Sequence, residues 1–120
     1  MEPFENLKPG MAAERIVTVA ADLSVSHTGI PVLGTPMMIG LMEQVSYGVV
    51  QPLLPADFTT VGFEVCIKHK GPAFIGDQIK VASTLLEVDG RKLRFDVKVT
   101  LGEKVIGEGL HRRTIIRISG

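Results

Sequence analysis

The sequence predicts a single α+β domain, residues 1–120, in which a long antiparallel sheet wraps around one central buried helix. Three observations predict it. A mostly apolar stretch with start and stop signals occupies about residues 36–53. Beyond it the hydrophobic period changes to two, in long runs joined by short turns. The helix is also apolar around nearly its whole circumference, and in a chain of 120 residues only a curling sheet can bury it.

The elements follow in order. Residues 11–23, MAAERIVTVAADL, read as a strand, with Ile16, Thr18 and Ala20 on one face and Val17, Val19 and Ala21 on the other. Residues 24–34, SVSHTGIPVLG, are rich in Gly, Pro, Ser and Thr and read as a loop. The helix then runs from about Pro36 to Leu53, with Thr35 as a good N-cap and Pro36 at the first helical position. The QPLLP at 51–55 stops it. Only a narrow polar strip interrupts its apolar surface, around Gln44, Tyr47 and Gln51.

Residues 60–70, TVGFEVCIKHK, alternate. Phe63, Val65, Ile67 and His69 share one face, and Gly62, Glu64, Cys66 and Lys68 the other. GPAFIGD at 71–77 is a break. Residues 78–88 and 92–101 are two more strands, joined by the tight-turn signal Asp89-Gly90. Gly102-Glu103 turns the chain again, and residues 104–118 return. That last strand is expected to offer a free edge to another copy of the chain. The sum is a hot-dog fold, a sheet wrapped around a central helix, normally built as a homodimer or a dimer of dimers.

Composition narrows the function. Thirteen basic and thirteen acidic residues cancel, and one Tyr, no Trp and no basic block argue against nucleic acid as a partner. Cys66 is the single cysteine, and three scattered His give no metal spacing, so neither disulfide, metal nor cofactor is expected. The N-terminus is acidic and lacks the apolar run of a signal peptide. The longest run without charge or His, residues 28–42, carries two prolines and is too short to span a membrane. A soluble cytoplasmic protein is expected.

Three side chains stand out chemically. Glu43 persists inside an apolar helix, where an unpaired buried carboxylate costs several kcal/mol, on the order of the desolvation penalty of an ion. It is either a rim residue or a group that orients an imidazole, activates water or attacks an acyl carbon. Gly40, one turn back, leaves space beside it. His69 ends the apolar face of its strand, where a purely structural strand would carry another aliphatic; the alternative is a strand-end imidazole bonded to backbone. Thr35 is first an N-cap, and otherwise a hydroxyl that attacks or positions water. If it caps a straight helix it lies roughly 12 Å along the axis from Glu43, so the two then meet different parts of a substrate, or the regular helix begins later, near Gly40. His27 and His111 read as structural or surface residues. Arg112 and Arg113 point to opposite faces of one strand.

From about Val32 to Ile116 the sequence resembles the hot-dog acyl-CoA thioesterases, most closely the fluoroacetyl-CoA thioesterase branch. The resemblance rests on VLGTPMMIGLMEQ, KHKGPAFIGDQIKV, EVDGRKLRFDVKV and GEGLHRR. It implies a site of Thr35, Glu43 and His69, because a Thr before the helix, a Glu eight positions on and a His twenty-six further keep the branch's spacings. It also implies that Gly62 brings its backbone to the acyl group and that Arg113 helps hold the CoA ester. The implied activity is hydrolysis of an acyl-CoA. The competing functions are a non-catalytic acyl-CoA-binding module and a hot-dog enoyl-CoA hydratase, a class that uses an Asp and a His a few residues apart in one segment. The specialised members carry a longer, Phe-rich lid ahead of the helix; residues 24–34 hold no aromatic, which implies less selectivity for fluoroacetyl.

Overall fold

The computed structural model describes residues 4–118; the remaining five of the expected domain lie outside the described residues. Strand β1 (Ala12–Thr18) leads through a single 3-10 turn into a two-stranded ribbon, β2 (Ser24–Val25) and β3 (Val32–Leu33), inside the segment expected to be loop. Helix α1 (Thr35–Val50) follows and ends in a second 3-10 turn at Gln51–Leu53. Then come β4 (Phe58–His69), β5 (Gln78–Asp89), β6 (Lys92–Leu101) and β7 (Lys104–Arg117). The large sheet is antiparallel throughout, in the order β1-β5-β6-β7-β4. Gly90 and Gly102 take φ of 61° and 62° in the turns that join β5, β6 and β7, a conformation open to glycine at little cost.

The sheet curls over α1 as expected. Met38, Leu41, Met42, Val45, Val49 and Val50 of the helix pack with Ile79, Val81, Leu85, Leu93, Phe95, Val97 and Val99 of β5 and β6 in one core. Burial of each such side chain contributes on the order of 1.5–3 kcal/mol. One side of the helix stays open: Gln44, Tyr47 and Gly48 are exposed, and Ile39, Gly40 and Glu43 are partly so.

Two expectations fail here. The last strand is not an edge, because β7 is hydrogen-bonded on both sides, to β6 and to β4. Among the described residues the free edges are β1 and β4. Nor does β4 keep one inward face along its length. Phe58 and Thr60 are buried, whereas Val61, Phe63 and Val65 are largely exposed and Ile67 again touches the core. The register against β7 shifts between Gly62 and Glu64, a β-bulge at Phe63. One extra residue exchanges the two faces, so even-numbered residues point inward before the bulge and odd-numbered ones after it.

Candidate active site

The bulge puts Gly62 and His69 on the inward side of one strand, although strict alternation would separate them. Each then meets a different part of α1, and two clusters result.

The first cluster lies at the start of the helix. Gly34 is the N-cap residue and Thr35 is the first residue of α1, so the Thr35 hydroxyl does not cap it. It lies instead 2.7 Å from Nδ1 of His69, at the end of β4. With the ring proton on Nε2, the imidazole accepts from the hydroxyl and raises its nucleophilicity. His69 Nε2 is buried with no partner among the described residues. The pair lines a cleft of about 570 Å³ together with Val25, Leu33, Pro36 and Lys70. The first backbone bond of the helix runs from Met38 N to Gly34 O at 2.9 Å. The amides ahead of it point out of the helix end as hydrogen-bond donors.

The second cluster lies two turns along. Glu43 faces a cleft of about 410 Å³ lined by Gly40, Gln44, Tyr47 and Arg113. Nothing would lie within 4 Å of a Cβ at Gly40, so the space beside the carboxylate is open. Arg113 is buried on the inward face of β7. Its Nε donates to Thr60 Oγ1 at 2.8 Å and its Nη2 to the Thr60 carbonyl at 3.0 Å. Nη1 lies 3.7 Å from Glu43 Oε2, an ion pair beyond hydrogen-bond length. The guanidinium also lies over the Tyr47 ring, 5.8 Å from its centroid. Burial pushes the Arg113 pKa down, while Glu43 and Tyr47 oppose the shift. Gly62 is where the backbone approaches all of this: a Cβ there would sit 2.9 Å from His111, 3.2 Å from Glu43 and 3.3 Å from Arg113.

Thr35 and His69 therefore meet within one chain, and Glu43, Gly62 and Arg113 gather separately. The regular helix does begin at Thr35, so the axial gap of roughly 12 Å between Thr35 and Glu43 stands. Arg112 points outward, bonded to Glu64 at 3.0 Å. Two members of the second cluster escaped the sequence reading, Thr60 and His111. The available signal was the spacing of His111 and Arg113, two apart on one strand and hence on one face.

Residues 12–119 match the family model of the fluoroacetyl-CoA-specific thioesterases. The chain belongs to that family. A curated relative, the fluoroacetyl-CoA thioesterase of Streptantibioticus cattleyicolor, is 31% identical over 87 residues, which are 72% of this chain and 63% of that protein. The fold agrees as well. A solved structure of the fluoroacetyl-CoA thioesterase FlK superposes with a TM-score of 0.87 at 26% identity, covering 93% of this chain and 90% of that one. A hot-dog-like protein from Thermanaerovibrio acidaminovorans superposes with a TM-score of 0.88 at 20% identity, over 98% and 89% of the two chains. The hot-dog fold expected from the sequence is thereby shown. Among the described residues no helix is long and apolar enough to cross a membrane.

Proposed function

We propose that this protein hydrolyses an acyl-CoA thioester to the free acid and CoA, with Thr35, Glu43 and His69 as reacting groups and with Gly62 and Arg113 binding the ester. The observation that carries the proposal is the 2.7 Å contact between the Thr35 hydroxyl and the His69 imidazole at the lip of an open cleft. Membership of a thioesterase family supports it, and a solved variant of the relative holds fluoroacetate and CoA. The chemistry runs as acyl transfer. His69 takes the proton of the Thr35 hydroxyl or of a water held by it. The oxygen adds to the thioester carbonyl, and the helix-start amides stabilise the oxyanion. The C–S bond breaks and CoA leaves as its thiol, taking the proton from His69. Where Thr35 is the attacking oxygen, Glu43 is the base for the water that adds to the acyl-Thr35 ester; the C–O bond to Thr35 breaks, the Thr35 oxygen recovers its proton through His69 and the free acid leaves.

Both clusters act on one ester if the protein is a dimer through the free β4 edge, whose Val61, Phe63 and Val65 are exposed. Antiparallel pairing of two β4 strands centred on Cys66 sets Val65 opposite Ile67 and Glu64 opposite Lys68, and the extra residue of the bulge then brings Gly62 of one copy opposite His69 of the other. The Glu43 cluster of one subunit then approaches the Thr35–His69 cleft of its partner. Release of free thiol from a panel of acyl-CoAs tests the activity. Turnover of several short acyl groups is expected, because the segment ahead of the helix carries no aromatic side chain to select fluoroacetyl. CoA esters bound without turnover would make the chain a binding module. Light scattering at micromolar concentration checks the dimer, and a monomer that is fully active would remove the shared site.

A further inference from the structure

His111 is the buried titratable group that this chemistry leaves unused. It is 1% exposed, and its ring stacks beside Phe95 at a centroid distance of 6.3 Å. Its Nδ1 lies 2.9 Å from the carbonyl of Glu64, the residue after the β4 bulge. A carbonyl only accepts, so Nδ1 carries the proton. The other nitrogen, Nε2, lies 3.2 Å from Arg113 Nη1, which only donates. Both partners thus fix the same neutral tautomer. Burial, the largest influence, lowers the His111 pKa, and Arg113 adds to it; the Glu64 carbonyl and Glu43 oppose.

Nη1 of Arg113 carries two N–H groups and faces two acceptors at unequal distance. It hydrogen-bonds the imidazole at 3.2 Å and stands off the Glu43 carboxylate at 3.7 Å. Without the imidazole's hold on Nη1, the guanidinium can tilt about its two Thr60 bonds toward the carboxylate, the charged and stronger acceptor. A closed pair occupies carboxylate lone pairs and stabilises the anion, which weakens Glu43 as a base.

We propose that His111 is a positioning residue that holds Arg113 away from Glu43, keeping the carboxylate available for proton transfer while its charge remains balanced. This rests on the role given to Glu43 above. Among the described residues, His111 is faced by Glu43 from α1, the Glu64 carbonyl from β4, the uncharged Phe95 from β6 and Arg113 from β7, while Tyr47 of α1 lies against Arg113.

The test begins with the wild-type protein. Nitrogen-15 NMR of His111 should show Nδ1 protonated and Nε2 bare; a proton on Nε2 overturns the proposal whatever any variant does. His111→Phe keeps a ring against Phe95 and removes the acceptor. Its crystal structure should show Arg113 within hydrogen-bond distance of Glu43, and an unmoved guanidinium overturns the proposal independently of activity. In kinetics, His111→Phe should lower kcat about tenfold, as for a modest misplacement of a reacting group. It should also move the acid limb of the pH–rate profile down by about one unit, as a carboxylate gaining a closer cation does. His111→Gln, which retains a donor and an acceptor, should restore both. An unshifted acid limb marks the ring as filler and overturns the proposal. In a Glu43→Gln background, His111→Phe should cost nothing further; a full additional loss overturns it. Glu43→Gln alone at the wild-type rate is a different failure, that of the carboxylate's role in the reaction.

Discussion

The two clusters differ in how they are held. The Thr35–His69 pair is a single contact between the first residue of α1 and the last residue of β4, at an open cleft. The Glu43 cluster is a network: Thr60 grips Arg113 twice, His111 takes a third bond, and the β4 bulge brings Gly62 against them. In the first, Thr35 is exposed and its hydroxyl has His69 as its one hydrogen-bond partner among the described side chains. The second fixes a charge in a partly enclosed site, where an unpaired guanidinium would be costly. The difference teaches that a nucleophile pair can be placed by two element ends alone. The charged group here is held by buried acceptors from two strands, Thr60 of β4 and His111 of β7.

Removing the reacting groups should have the largest effect on either side. His69→Ala and Glu43→Gln should each lower the chemical rate by roughly 10²–10⁴, the usual range for acid–base groups. Single-turnover kinetics with a short acyl-CoA measures it. A wild-type rate in Glu43→Gln would reduce the second cluster to a structural rim, and the contrast would collapse.

Gly62→Ala probes the network without touching its charges. The added methyl falls 2.9 Å from His111 and 3.2 Å from Glu43, so something must shift. A fall in kcat of about ten- to a hundredfold is expected from displacement on this scale. An unaffected kcat would mean that the second cluster is as loosely held as the first.

A pH titration of stability separates the clusters next. His111 is neutral in the folded state because burial, more than any other influence, lowers its pKa from 6.5. The unfolded chain therefore binds a proton that the folded chain resists. This contribution is intact above about pH 6.5 and is lost as pH falls through the depressed folded-state value. Melting temperature followed from neutral to acid should drop less steeply in His111→Gln than in the wild type. Parallel curves would show that the imidazole is not held neutral.

The smallest effect is expected at Thr35. Because Gly34 supplies the N-cap and the Thr35 side chain turns to His69, Thr35→Ala should change stability by no more than about 0.5 kcal/mol while activity falls. Thr35→Ser should retain much of the rate. A stability loss near the ~1 kcal/mol of a lost cap, measured by urea unfolding, would restore the capping role.

These contrasts mirror what the sequence made legible. The helix, the antiparallel strands and the turns at Asp89-Gly90 and Gly102-Glu103 follow from period and turn chemistry, and they appear close to the expected residues. The resemblance singled out Thr35, Glu43, His69, Gly62 and Arg113. What stayed hidden was how they group. A β-bulge adds one residue to one strand, and TVGFEVCIKHK alternates the same way with or without it. Strand order is equally silent in a local pattern, and the expected edge, β7, lies inside the sheet with β4 outside it. Thr35 before Pro36 carries the signature of a cap, and only the arrival of His69 from 34 residues away claims its hydroxyl. His111 looked ordinary because a histidine in a strand has no local sign of its partners.

The order of the sheet also bears on how the chain reaches this state. Among the described residues β1 pairs only with β5, and β4 only with β7. Both of these strands, and the apolar helix between them, precede the β5–β6–β7 meander in the chain. During synthesis none of them has its partner until the meander emerges, and β4 waits for the final strand of all. The local hairpins can form first, whereas each outer strand must then close a long loop, which slows folding. Until that moment Met38, Met42, Val45 and Val49 have no sheet to cover them, and the nascent chain exposes the surface that chaperones hold.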